Sequence, residues 1–140
     1  MATDFLAIAD AVAAKFAGIT GIRGASAEVP DAIGFTPYVV VFPPNGTLSR
    51  PLSQDVVETD FPCHLYLDRP GDTGRTLQKV YPYIQSVVTA WRTGITLGAI
   101  VTESFVESWE VDDMPDYEGR YLGVRFRIKV RTRENISRTS

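Results

Sequence analysis

Tyr121-Leu122-Gly123-Val124-Arg125-Phe126-Arg127-Ile128-Lys129-Val130-Arg131-Thr132 is the stretch that decides the fold. Leu122, Val124, Phe126, Ile128 and Val130 fall on one parity; Gly123, Arg125, Arg127, Lys129 and Arg131 fall on the other. Successive side chains of a strand point to opposite faces, so this period of two predicts one face in a core and a row of cations on the other. Upstream, the residues from Ile100 to Glu110 alternate as well, and an acidic turn from Asp112 to Gly119 separates the two runs. A C-terminal hairpin follows. The polar residues 134–140 are read as a flexible tail beyond a single domain of residues 1–133.

Working toward the N-terminus, Val57, Thr59, Phe61, Cys63, Leu65 and Leu67 share one parity, while Glu58, Asp60, His64, Tyr66 and Asp68 hold the other. This is a second half-buried strand, in which Pro62 signals an edge, a bulge or the junction of two shorter strands. Pro37-Tyr38-Val39-Val40-Val41-Phe42 is β-branched and aromatic, as a buried central strand requires. Ser26 to Val29 are read as a short extended stretch. The segment Pro43 to Ser53, with three prolines and Gly46, is expected to be a projecting loop.

Two segments carry the helical period instead. Thr3 is an N-cap candidate ahead of Phe5, Ile8, Ala9, Val12 and Phe16, and the pattern ends near Gly18. Thr73 is placed to cap a stripe of Leu77, Val80, Tyr81, Ile84, Val87, Val88 and Trp91. Pro82 within that stripe means either a kinked helix or two short helices meeting there. The expected architecture is α+β: a mainly antiparallel sheet of four to five strands with two helices packed on one face.

Composition bounds the function. With 140 residues and 44% hydrophobic content the chain fills one ordinary core, and a formal net charge of −3 argues against a surface committed to nucleic acid or to a polybasic membrane contact. No apolar run is long enough for a membrane span, and no cationic segment precedes an apolar one at the N-terminus, so neither anchor nor signal peptide is expected. Cys63 has no second cysteine to pair with. His64, the only histidine, is its neighbour in a strand, so the two side chains diverge and a Cys–His dyad is not expected. Asp112, Asp113, Asp116 and Glu118 lack the ordered positions of a calcium loop, and Gly18, Gly21 and Gly24 follow a helix where a dinucleotide site needs a strand. The aromatic residues are scattered over core-parity positions rather than set beside cations on an exposed face. No enzyme, cofactor or metal is expected.

Charge layout is more informative. Residues 103–118 hold seven acids and no base, whereas 120–138 hold seven bases and one acid. Cross-strand pairing of Arg125, Arg127, Lys129 and Arg131 with acids such as Glu103 and Glu107 accounts for part of this pattern. Four cations along one strand exceed the acids directly opposite, and the surplus points to an acidic partner such as a neighbouring copy. The candidate subunit interface is therefore Arg125, Arg127, Lys129 and Arg131, the acids Asp112, Asp113 and Asp116, and the loop residues Pro43, Pro44, Asn45 and Arg50.

An alanine-rich first helix running into Gly18-Ile19-Thr20-Gly21-Ile22-Arg23, then Pro37-Tyr38-Val39-Val40-Val41 and Tyr66-Leu67-Asp68-Arg69, together resemble siphophage tail terminators and minor tail proteins. Thr73-Gly74-Arg75-Thr76-Leu77, residues 94–102 and Tyr121-Leu122-Gly123-Val124-Arg125-Phe126 occupy the places such proteins use for the second helix and closing hairpin. The likeness spans nearly the whole chain in pattern and element order and contains no invariant motif. It implies a virion protein assembled in the host cytoplasm, a homo-oligomer (a hexameric ring) that caps the tail tube protein and meets head-completion or connector proteins. DNA would pass its lumen without specific binding, and no membrane would be involved. The alternatives are another head–tail connector or neck protein, and a small nucleic-acid-binding module using the basic strand.

Overall fold

The computed structural model describes residues 4–49, 54–68, 73–114, 117 and 121–135. In chain order the elements are α1 (Phe5–Ala17), β1 (Gly24–Ser26), β2 (Tyr38–Val41), β3 (Asn45–Ser49), β4 (Gln54–Asp68), α2 (Thr73–Ala90), β5 (Glu103–Met114) and β6 (Tyr121–Asn135). Six strands form one sheet in the order β1-β2-β4-β6-β5, with β3 also on β4. Every pairing is antiparallel except β1 with β2. The fold is α+β, and both helices pack on one face of the sheet through a shared core.

The strand beyond the expected four or five is β3, which occupies the segment read from sequence as a projecting loop. β2 and β3 both lie along β4; between the pairs Val41↔Cys63 and Asn45↔Asp60 the first chain advances four residues and β4 three. They are one long strand with an extra residue at Phe42-Pro43-Pro44. Two consecutive prolines remove backbone donors and interrupt the ladder without ending the sheet. Asn45–Ser49 then pairs with Asp60 to Val56, so the segment is the outer strand of a hairpin arm.

Pro62 does not divide β4, which runs unbroken for fifteen residues between β2/β3 on one side and β6 on the other. The Pro62 carbonyl accepts the Phe42 N–H at 2.8 Å. A strand residue's carbonyl and N–H project to the same side, so the N–H that proline lacks faces the break between β2 and β3, where the ladder is already interrupted.

The β4 and β6 parities hold as read. Phe61, Cys63, Leu65 and Leu67 from β4 and Leu122, Val124, Phe126, Ile128 and Val130 from β6 are buried against the helices. β1 is Gly24–Ser26, slightly earlier than the stretch expected at Ser26–Val29. β5 starts at Glu103, later than the alternation from Ile100 suggested, and Asp112 and Asp113 belong to it rather than to a turn. β6 extends through Asn135, so Glu134 and Asn135 are paired strand rather than tail; residues 136–140 lie outside the described residues.

In α1, Ile8, Val12 and Phe16 recur every fourth residue and are buried. The N-cap is Asp4, in extended conformation, whose carboxylate accepts the Ala7 N–H at 3.0 Å; Thr3, the candidate from sequence, lies outside the described residues. An anionic cap satisfies an orphan donor and complements the helix dipole. At the other end Lys15 reaches the Thr93 carbonyl (2.9 Å) and lies 5.2 Å from the Trp91 ring centroid, fastening α1 to the end of α2. α2 is one continuous helix through Pro82, so the two-helix alternative is not realised. Pro82 lacks the N–H that would meet the Gln78 carbonyl four residues earlier, and both residues lie on the exposed side of the helix. Tyr81, assigned to the buried stripe, is 67% exposed, whereas Val80, Val87 and Trp91 are buried. After α2 the left-handed backbone of Leu97 and Ala99 is held by the burial of Leu97 and by a chain of bonds: Trp91 Nε1 donates to Ser104 Oγ (3.0 Å), and that hydroxyl donates to the Ile95 carbonyl (2.7 Å).

A second core lies on the opposite face. Val40, Tyr66 and Met114 are fully buried there beneath Ile33, Tyr38, Phe42, Tyr117 and Tyr121. The Tyr117 hydroxyl donates to the Pro30 carbonyl (2.6 Å) and the Tyr121 hydroxyl to that of Ile33 (3.4 Å), so the segment between β1 and β2 folds over one end of the sheet. Among the described residues no helix is long and apolar enough to cross a membrane.

Candidate functional site

The face away from the helices therefore has an aromatic end and a charged end. At the charged end β6 presents Arg125, Arg127, Lys129 and Arg131, and its neighbours on both sides are acidic. Arg131 bonds Glu58 of β4 (2.8 Å) and Glu103 of β5. Lys129 lies 3.4 Å from Glu107 and 4.0 Å from Asp60, and Arg125 lies 3.5 Å from Asp112. Arg127 opposes Pro62 and Ser108 and is exposed.

This corrects the charge argument drawn from sequence. The surplus of cations was counted against one flanking strand, but β6 is an interior strand, and β4 supplies Glu58 and Asp60 from the other side. Glu103 does stand opposite Arg131, as expected. With acids on both flanks, the stripe has no excess positive charge that requires an acidic partner or would draw in a phosphate backbone.

Asp60 and Glu107 meet over Lys129. Desolvation, and then the hydrogen bond and charge of Glu107, hold the Asp60 carboxyl above its ordinary 3.8, while the bond from Asp60 holds Glu107 below its ordinary 4.5. The folded chain thus binds the Asp60 proton more tightly than the unfolded chain. That contribution is complete below 3.8 and is lost as pH rises through the raised value. Glu107 works oppositely, stabilising above 4.5 and losing its contribution on acidification. Asp60→Asn is therefore expected to raise the urea midpoint relative to wild type more at pH 7 than at pH 4. An equal change at both values would mean that the Asp60 carboxyl is not held above its ordinary value.

The other predicted interface residues are dispersed. Asn45 opens β3 opposite Asp60, and Pro43 and Pro44 fill the break before it. Asp112 is far along β5, level with Gly123, and Asp113 is level with Leu122. Arg50 and Asp116 lie outside the described residues. Asp112 meets Arg125 at one end of the stripe, and Asn45 shares a row with Asp60 and Lys129 nearer the other. The aromatics are not simply scattered: the Phe42 ring lies against that of His64 at a tilt, centroids 4.5 Å apart, and His64 shares its face with Arg125, opposite it. Cys63 is wholly buried on the helix side, its thiol pushed up by desolvation, and His64 points the other way. Among the described residues no group of three histidine, cysteine or acidic side chains is placed to hold a metal.

What the sequence reading missed is the pair of open sheet edges. Among the described residues β5 has a partner on one side only, along twelve residues. Its Phe105 is 36% exposed and Trp109 49%. On the opposite flank all five residues of β3 are exposed, with Leu48 at 52%. An unpaired strand presents a row of backbone donors and acceptors to any second strand. Trp109 among acids in a run of alternating residues was the available signal for the first edge; Asn45–Ser49, small, polar and proline-flanked, offered none. Neither a known protein family nor a characterised protein matches this sequence.

Proposed function

We propose that this chain is a structural subunit that assembles with copies of itself, in the role of a siphophage tail terminator. A ring of subunits, taken here as a hexamer, would close the tail tube and offer its other side to head-completion proteins. The observation that carries the reading is the free edge of β5: a twelve-residue strand paired on one side only among the described residues, with Phe105 and Trp109 turned partly to solvent, in a chain whose charged stripe is matched internally. Strands of this length with exposed aromatic residues are liabilities unless something covers them.

The assignment to a phage tail rests on the resemblance in element order, and the self-assembly rests on the edge. Sedimentation over a concentration series at moderate salt tests the second, with a closed oligomer expected. A monomer at every concentration, alone and with a tail tube protein, would overturn it. Salt-sensitive binding to DNA by that monomer would instead favour a nucleic-acid module.

A further inference from the structure

The self-assembly reading leaves open which surfaces meet, and the strand directions and charges address this. Resting on that reading, we propose that β3 of one copy adds antiparallel to the free edge of β5 in the next copy. The sheet would then run on from subunit to subunit with every helix on the same side.

Direction comes first. β3, β4, β6 and β5 lie side by side and alternate in direction at each step. A second copy set beside the first in the same orientation therefore brings its β3 antiparallel to β5, continuing the alternation. Height agrees as well. Thr47 pairs with Glu58, Glu58 with Arg131 and Arg131 with Glu103, so β3 and the start of β5 sit on one row across the sheet. Sideways displacement without sliding brings the two edges together. Facing is preserved too: Leu48 lies beside Val57 on the helix side, and Val106 is on the same side opposite Ile128.

Charge decides between this arrangement and the symmetric one. β5 contains Glu103, Glu107, Glu110, Asp112 and Asp113 and no base. Two β5 edges brought together would set acids against acids, which disfavours a two-fold contact. Asn45-Gly46-Thr47-Leu48-Ser49 carries no charge and meets no such penalty. A contact between two different edges is head-to-tail, and such contacts close into rings or run on as filaments.

Cysteine cross-linking tests the pairing. Within one chain β3 and β5 are three strand spacings apart, about 14 Å, too far for a disulfide, which needs Cα atoms within about 7 Å. Cys63 is buried and stays out of the reaction. Thr47→Cys combined with Glu103→Cys, and in a second variant Asn45→Cys combined with Phe105→Cys, the pairs that share a row, is expected to give trimers and larger covalent species on mild oxidation; single variants should stop at dimers. Dimers from Phe105→Cys alone, with no ladder from either double variant, would overturn the proposal in favour of symmetric β5 pairing. No cross-link in either double variant, at concentrations where sedimentation finds oligomers, would overturn the edge pairing and leave self-assembly standing. Monomers throughout would overturn both.

Discussion

Gly123→Ala is expected to lose about 3 kcal/mol or more, near the top of what overpacking costs. A Cβ at this position would fall 1.8 Å from the Leu65 carbonyl oxygen and 2.9 Å from Met114 Cε. A methionine tip can swing away, but the carbonyl is backbone of the central strand, and moving it means parting β4 from β6 between the two cores. Gly34→Ala is the control, since nothing lies within 4 Å of a Cβ built there. Thermal melts of the two variants should separate by on the order of 10 °C. Equal melting temperatures would show that the two strands have room to spread at Gly123.

Phe16→Ala should be as damaging for the opposite reason, an emptied site instead of an overfilled one. Phe16 is wholly buried, with its ring centroid 4.9 Å from that of Trp91 and 6.0 Å from that of Phe126. One side chain thus joins α1, the end of α2 and the middle of β6. Truncating a buried phenylalanine costs about 3–5 kcal/mol in lost transfer free energy and cavity. Phe5→Ala, in the same helix but 43% exposed, should cost under about 1 kcal/mol. Urea unfolding would show a large fall in midpoint for the first and a small one for the second; similar shifts would mean that α1 does not anchor the core through Phe16.

Elements governed by a strong local period were legible in the sequence. β4 and β6 alternate without interruption, and α1 repeats its apolar residues every fourth position, so their types and buried faces followed directly. β3 was not legible because its pairing is determined by β4, while its own residues carry turn chemistry. Tyr66 sits on the polar parity of β4 and is nevertheless buried, because Tyr117, Tyr121 and residues from before and after β2 close over it. No single strand's pattern records that cover. The charge surplus was overcounted for a related reason: counting charges across one hairpin assumed that β6 had a single neighbour, and the number of neighbours is a property of sheet order. The acids Glu58 and Asp60 were visible; their distance from Arg131 and Lys129 was not.

β4 receives its neighbours at very different times. β3 is joined to it through residues 50–53, so the arm can close locally, whereas β6 begins fifty-three residues after β4 ends. At about 5–20 residues per second of synthesis, the inner flank of β4 stays open for several seconds after its own residues are made. Phe61, Cys63, Leu65 and Leu67 are then without the strand that seals them, and the pairing that completes the sheet is also the one with the longest loop to close. Made after every other described strand, β6 is thus the keystone, and a chain stopped before Tyr121 has a hairpin arm and helices but no sheet interior on which to settle.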